Sequence, residues 1–248
     1  MIILALDTAT PQVSCALGGP DGVIGELRSS EERRHGEYLA PAIERLCRDH
    51  QVAMRDLGAV AVDIGPGLFT GLRVGMATAK ALASALGLPL VGASSLETLA
   101  QPHETHGRLV ASVVDVRRGE VAWALYQPGL GKGSDIRLVE RRPPAVVSPA
   151  GLARELAGVG TDVLVVGDGA TRYAEQLAEV SGVQLAGDDW RYPTARALLM
   201  LGRRQLAAHQ GPDGIGRGDA DLAPLYLRAA DVRVGWEERS PAVGGRGD

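Results

Sequence analysis

Aromatic residues are scarce in this chain: they make up 4% of its 248 residues, and Phe69 is the only phenylalanine. A core must therefore be built mainly from Ala, Val and Leu. The two cysteines, Cys15 and Cys47, provide neither a disulfide framework nor the spacing of a metal site. No apolar run reaches the roughly 18 residues of a membrane span, and the first residues lack the basic segment of a signal peptide. A net charge of −4 argues against nucleic-acid binding by this chain alone. We expect a cytoplasmic protein without membrane contact.

The most informative stretch is residues 63–75, Asp-Ile-Gly-Pro-Gly-Leu-Phe-Thr-Gly-Leu-Arg-Val-Gly. It follows a strand-like run and opens an Ala-rich pattern that predicts a helix over residues 71–86, with Thr70 as its cap. Glycine permits the backbone angles of a tight turn, so the junction suits an anion or a close backbone contact. The stretch has neither the Gly-Lys-Ser/Thr of a Walker loop nor the Gly-x-Gly-x-x-Gly of a dinucleotide site.

The two halves of the chain begin with the same pattern. Residues 2–7 and 109–115 are apolar runs that end in Asp7 and Asp115, and each is followed by a turn and a second strand. Strand and helix patterns then alternate, including predicted helices over 36–50, 170–180 and 194–209. We predict an α/β protein with the duplicated actin-like (sugar kinase, heat-shock ATPase, actin) fold. Its two related β/α lobes are expected at residues 1–104 and 105–233, with a disordered tail at 234–248.

The glycine-rich stretch resembles the Gly-Pro-Gly-Ser-Phe-Thr-Gly-Leu-Arg signature of the TsaB (YeaZ) family, with Leu68 in place of the usual Ser. The resemblance covers about residues 1–230 in the family's order. Its further blocks are Asp7-Thr8-Ala9-Thr10, Arg33-Arg34-His35, Ser94-Ser95-Leu96-Glu97, Arg117-Arg118-Gly119-Glu120-Val121 after Asp115, and Pro224-Leu225-Tyr226-Leu227-Arg228.

The resemblance implies a scaffold and not an enzyme, because TsaB proteins are the non-catalytic partners in bacterial synthesis of threonylcarbamoyladenosine on tRNA. The implied partners are a TsaD-like catalytic subunit and a TsaE-like ATPase, with tRNA reached through the complex. Pairing with the catalytic subunit, or with a second copy, is implied through the first two helices. The candidate interface residues are Tyr38, Leu39, Ile43, Leu46, Leu72, Arg73, Gly75, Met76 and Ala79. Alternatively, the small residues of the second helix let it lie flat on its own sheet.

A vestigial nucleotide site is the second candidate. In active actin-like ATPases, the acid that ends each lobe's first strand holds magnesium through water, and Asp7 and Asp115 occupy the matching places. The other candidate residues are Thr8, Thr10, Gly167 and Gly169. The second turn carries Arg117 and Arg118, which would crowd a nucleotide, although arginine can pair with phosphate. The alternatives are acids that cap turns and a Gly-x-Gly turn that needs glycine for its backbone. The alternative function is an actin-like ATPase or kinase with its own activity.

A metal site is not expected. His103 and His106 lie three residues apart in a presumed linker, without a third ligand nearby. TsaD-like proteins carry a His-x-x-x-His metal motif, and the corresponding segment here, residues 93–99, contains no histidine. The resemblance therefore implies no metal and no cofactor.

Overall fold

The computed structural model describes residues 1–30, 35–130, 136–208 and 222–227. The predicted tail at 234–248 lies outside these residues. Among the helices of the described ranges, none combines the length and the hydropathy that a membrane crossing requires.

The first sheet consists of β1 (Ile2–Asp7), β2 (Val13–Gly19), β3 (Gly22–Ser29), β4 (Leu57–Asp63) and β5 (Leu90–Ala93). Its spatial order is β3-β2-β1-β4-β5. The first three strands form an antiparallel meander, whereas β4 pairs with β1 and β5 with β4 in parallel. The strands β1 and β2 are apolar runs buried on both faces, as expected for the middle of a sheet covered by helices.

The second sheet repeats this arrangement with β6 (Leu109–Asp115), β7 (Val121–Leu130), β8 (Ile136–Val147), β9 (Val163–Val166) and β10 (Val183–Leu185). Its order is β10-β9-β6-β7-β8, so the third, second, first, fourth and fifth strands follow one another in both sheets. The parallel and antiparallel pairings also correspond. The two related β/α lobes of the predicted actin-like fold are confirmed.

Seven α-helices occur in the described residues: α1 (His35–Asp49), α2 (Phe69–Leu86), α3 (Ser95–Ala100), α4 (Pro149–Ala157), α5 (Asp168–Arg172), α6 (Ala174–Ala178) and α7 (Ala195–Ala208). The helices α1 and α2 cover one face of the first sheet, where Leu39 and Met76 join the core of Leu4, Leu6 and Val62. On the second sheet, α4, α5 and α6 add Leu152, Ala170 and Leu177 to a separate core.

Two helices pack on the sheet of the other half. Leu96 and Leu99 of α3, which follows the first sheet in the chain, pack with Val110 and Val166 of the second sheet. Conversely, α7 follows the second sheet but packs its Leu198 and its neighbours onto the first. The lobe boundary near residue 104 stays a prediction. Because α3 and α7 each pack on the sheet of the other half, no single point of the chain separates the two packed cores.

Two local predictions are corrected by the structure, and one strand was missed. The helix α2 begins at Phe69 with Leu68 at its N-cap and no side-chain cap, so Thr70 lies inside the first turn. The helix predicted over 170–180 is two short helices, because the backbone of Tyr173 (φ −113°, ψ 29°) departs from helical angles. The strand β10 was not predicted. Ser94 caps α3, since its Oγ accepts the N–H of Glu97 at 3.0 Å.

Candidate functional site

Two buried carboxyl groups end neighbouring parallel strands of the first sheet. Asp7 is the last residue of β1 and Asp63 the last of β4, one position beyond the paired Leu6 and Val62. The Oδ1 of Asp7 accepts the N–H of Ala9 at 2.9 Å. The Oδ1 of Asp63 accepts the N–H of Gly65 at 2.7 Å and the Ser95 hydroxyl at 2.6 Å. The two Oδ2 atoms are buried without a hydrogen-bond partner among the described residues.

The carboxyl pair favours a bound proton. Burial raises the pKa of Asp7, and the charge of Asp63 raises it further. Burial also raises the pKa of Asp63 to about 7, against the lowering effect of the hydrogen bonds from Ser95 and Gly65. Asp63 was not among the predicted site residues. Its signal was available, because it ends a buried strand before a turn in the same way as Asp7 and Asp115.

The turn after β1 is hydrogen-bonded to the glycine-rich loop. The hydroxyl of Thr8 donates to the carbonyl of Gly71 at 2.7 Å, and the N–H of Leu68 donates to the carbonyl of Ala9 at 2.7 Å. A Cβ at Gly67 would overlap the Ala9 carbonyl, so glycine is required by close backbone approach. The predicted residues Thr8 and Thr10 are both buried in this contact region. The Thr8 hydroxyl is therefore engaged with the protein's own backbone.

In the second lobe, the predicted residue Asp115 contacts two arginines. Its Oδ2 accepts Nη1 of Arg172 at 3.0 Å and Nη1 of Arg117 at 3.4 Å. Its Oδ1 accepts the N–H of Arg117 at 2.9 Å. The N–H of Asp115 in turn donates to Oδ1 of Asp168 at 2.9 Å. The sequence left two alternatives for Asp115, a nucleotide site or an acid that caps its own turn. Asp115 caps its turn through the N–H of Arg117, and it also forms ion pairs with Arg117 and Arg172.

The glycines of the Gly167-Asp168-Gly169 segment lie against β6. Gly167 has a φ of 108°, and a Cβ there would overlap the carbonyl of Val113. A Cβ at Gly169 would crowd the Val113 side chain. Gly167 therefore needs glycine for its backbone angle and for packing, whereas Gly169 needs it for packing alone. Their assignment to a nucleotide site stays a prediction.

Most of the predicted interface residues lie in the core of the first lobe. The buried members are Leu39, Ile43, Leu46, Leu72, Gly75, Met76 and Ala79. A Cβ at Gly75 would overlap the Thr8 hydroxyl, so the small-residue face of α2 packs on its own lobe. Only Tyr38, half-buried, and Arg73, exposed, retain accessible surface. The assignment of these residues to a partner interface stays a prediction.

An aromatic patch, here defined as Phe69, Arg73 and Tyr226, lies exposed beside the outer face of α2. Phe69 is 51% exposed and Tyr226 48% exposed. Their ring centroids are 5.6 Å apart, and the Arg73 guanidinium lies 3.8 Å from the Phe69 centroid. The N–H of Leu225 donates to the carbonyl of Ile64 at 2.7 Å, which fixes the 222–227 segment on the glycine-rich loop. Neither Phe69 nor Tyr226 was among the predicted interface residues.

The histidine pair contacts a tryptophan. The Nδ1 atoms of His103 and His106 are 3.4 Å apart, and the His103 ring packs on Trp190 at 4.5 Å between centroids. Burial lowers the pKa of His103 to about 4, and His106 adds to this effect. Within the described part of the chain, no group of three or more His, Cys, Asp or Glu side chains is arranged to hold a metal.

Comparisons with known proteins agree on one family. The chain matches the family model described as TsaD: tRNA N6-adenosine threonylcarbamoyltransferase over residues 20–211. It is 32% identical to the tRNA threonylcarbamoyladenosine biosynthesis protein TsaB of Bacillus subtilis, over 96% of this chain and 99% of that protein. The TsaB protein of Escherichia coli is 29% identical over 96% of this chain and 98% of its own length. The structure of YeaZ from Pseudomonas aeruginosa superposes with a TM-score of 0.74 at 30% identity, covering 91% of this chain and 99% of that chain.

Proposed function

This chain belongs to the TsaB (YeaZ) family, and from that membership we propose that it serves tRNA threonylcarbamoyladenosine synthesis as the non-catalytic partner of a TsaD-like subunit. In this scheme the TsaD-like subunit transfers the threonylcarbamoyl group and a TsaE-like ATPase joins the complex. The names of the relatives in Bacillus subtilis and Escherichia coli support the pathway. We extend the proposal to a cytoplasmic location, since tRNA is the molecule modified.

A non-catalytic role is supported by what the strand-end residues already contact. Asp115 pairs with Arg117 and Arg172, where an active actin-like ATPase would hold magnesium through water. The Thr8 hydroxyl, which could otherwise reach a phosphate oxygen, is bonded to Gly71. The rival function is an ATPase or kinase. Calorimetry of the purified chain with Mg-ATP distinguishes the two, and micromolar binding with turnover would favour the rival.

The observation that carries the proposed partner role is the exposed aromatic patch. Partner surfaces are enriched in aromatic residues and arginine, and exposed large apolar side chains are otherwise few in the described residues. Beside the patch, the outer face of α2 exposes Ala77 and Ala81, which leave room for a close approach. We therefore assign partner binding to the patch and this outer face. The buried residues predicted earlier would support the surface from below.

Co-purification of the full chain with the TsaD-like subunit tests this assignment. The variants Ala77→Arg and Phe69→Ala should each weaken the complex by about tenfold or more, as expected for residues at the centre of an interface. Ala178→Arg, at the exposed end of α6, is the matched control and should bind as the parent does. Gly75 is unsuitable for this test, because a side chain there would overlap Thr8 and disturb folding. Normal co-purification of both test variants would contradict the assignment.

A second copy of the chain would use the same surface when the catalytic subunit is absent. Light scattering of the isolated parent should then report self-association that Ala77→Arg removes. A parent that stayed monomeric at high concentration would exclude the homodimer. It would not bear on the partner complex, which co-purification tests. If deletion of the protein left the tRNA modification intact in its own cell, the proposed function itself would fail.

A further inference from the structure

Four arginines gather at the carboxyl end of β6, a group that we call the arginine cluster. Its members are Arg117, Arg118, Arg172 and Arg191. Two of them bond to the same oxygen of Asp115, as described above. Arg191 lies near Asp168, where burial raises the pKa of the carboxyl to about 6 against the opposing charge of this arginine. Two guanidinium groups, those of Arg117 and Arg172, therefore share the single carboxylate of Asp115.

The turn that carries two of these arginines has an unusual backbone. Arg117, Arg118 and Gly119 have successive φ angles of 67°, 58° and 73°. Residues with a Cβ disfavour this left-handed region, which glycine adopts readily. The turn is nevertheless closed by backbone bonds of 3.2 Å between Val116 and Glu120 and between Glu120 and Arg117. Two arginines are therefore held where glycine would be less strained, and such outliers cluster at functional positions.

The guanidinium groups keep donors available to a ligand. The Arg117 side chain is 53% exposed and the Arg172 side chain 54% exposed. A guanidinium has five N–H donors, and each of these two arginines gives Asp115 one Nη contact. Arg172 and Arg191 also lie against tyrosine rings, with distances to the ring centroids of 5.8 Å and 5.1 Å. Accessible guanidinium groups with donors to spare can pair with phosphate oxygens.

We propose that the arginine cluster binds backbone phosphates of an RNA. The arginines would recognise the phosphate group. Because the turn is exposed to solvent but its side chains fill the space beside Asp115, it suits a phosphodiester that passes over the surface. A nucleoside triphosphate would have to enter the space that the Arg117 and Arg172 side chains occupy beside Asp115. The choice of tRNA as the RNA rests on the proposed function. Because the chain as a whole carries a net charge of −4, phosphate attraction must come from a local basic surface such as this cluster, and binding should weaken as the salt concentration rises.

The test uses fluorescence anisotropy of an unmodified, labelled tRNA transcript with the full-length chain over a salt series. The variant Arg117→Gly/Arg118→Gly keeps a turn that glycine favours and removes two guanidinium groups. Its affinity should fall about tenfold or more, and its salt slope should decrease by about 2. The matched control Arg55→Ala/Arg154→Ala removes the same charge from exposed positions elsewhere and should bind as the parent does. Arg172→Gln is a second variant should the first unfold on heating earlier than the parent; because it removes one guanidinium group, its affinity should also fall and its salt slope should decrease by about 1.

The outcomes separate this proposal from its rivals. Undetectable binding of the transcript by the parent, or equal binding by parent and variants, would overturn it. Displacement of the transcript by micromolar ATP would identify a free nucleotide as the source of the phosphate and would also overturn it. Co-purification with the TsaD-like subunit should be unchanged in the glycine variant, since the aromatic patch and α2 are intact. Failure of RNA binding and failure of the partner role are therefore distinguishable.

Discussion

Arg204 of α7 and Glu104 form an ion pair through two contacts, with Nη1–Oε2 and Nη2–Oε1 distances of 2.7 Å each. Glu104 lies in the connection between the two sheets, whereas α7 returns from the second half of the chain to pack on the first sheet. The two side chains are 21% and 14% exposed, so water screens the pair only in part. The ion pair therefore links the connection between the two sheets to α7.

Removing this pair should destabilise the fold. Arg204→Met should lower the free energy of unfolding by about 1–3 kcal/mol, because the Glu104 carboxylate loses a charged donor in a half-buried place. Arg45→Met breaks the exposed Arg45–Asp49 pair of α1, of which the side chains are 64% and 48% exposed, and is the control. Its cost should not exceed about 0.5 kcal/mol. Urea unfolding measures both, and equal losses would contradict the structural role of Glu104.

Asp63→Asn should flatten the dependence of stability on pH. The folded-state pKa of Asp63 is raised to about 7, whereas an unfolded aspartate titrates near 3.9. Between these values the folded chain binds more protons than the unfolded chain. Its stability therefore falls as pH rises through this window, by at most about 1.4 kcal/mol per pH unit for each proton.

The measurement is the urea midpoint of parent and variant at several pH values between about 4 and 8. The asparagine Oδ1 can still accept from Gly65 and Ser95, which preserves the local bonds. Asp49→Asn, on the surface of α1, is the control and should keep the slope of the parent. A variant slope equal to that of the parent would show that Asp63 itself holds no extra proton in the folded chain.

Gly75→Ala should cost about 1–3 kcal/mol of stability, since the new methyl group overlaps the hydroxyl of Thr8. Thr8→Ala alone loses the bond to the Gly71 carbonyl, worth about 1 kcal/mol. The double variant Thr8→Ala/Gly75→Ala should be more stable than the sum of the two losses predicts, because Thr8→Ala makes room for the methyl group. Thermal or urea unfolding of the parent, both single variants and the double variant measures this coupling. Strictly additive losses would rule out a direct contact between residues 8 and 75.

Gly167→Ala should be among the most damaging single changes, with a loss of about 3 kcal/mol or more. The position has a φ of 108°, and the added Cβ overlaps the carbonyl of Val113, which cannot move without disturbing β6. Gly187→Ala is the matched control, since its φ is −69° and no atom lies within 4 Å of its Cβ position. Similar unfolding midpoints for the two variants would refute the packing role of Gly167.

The strand framework could be predicted from the sequence because its signals are local. The runs that end in Asp7 and Asp115 show buried strands followed by turns, and their recurrence indicates the duplication. The same local pattern at Asp63 was read only as the start of a glycine-rich loop. That Asp7 and Asp63 share one sheet edge follows from the order of the strands, which is a property of the whole sheet.

Two other features could not be read from spacing. An apolar stripe such as Leu39, Ile43 and Leu46 has the same period whether it faces its own sheet or a partner, and the structure buries it in the lobe. Which sheet a helix covers is likewise not encoded in its own pattern, so the destinations of α3 and α7 were not predicted. The exposed ring of Tyr226 is placed by the backbone bond from Leu225 to Ile64, a contact between distant residues.

The return of α7 to the first sheet has a consequence for biosynthesis. The alanine-rich side of that sheet, including Ala5, Ala16 and Ala61, gains its cover only when residues 195–208 have been made. During synthesis, one side of the β1–β3 meander therefore stays uncovered until residues 195–208 have left the ribosome. The first sheet is therefore completed only by the last helix of the described residues, and a chain released before that helix is made would expose an apolar surface that favours aggregation.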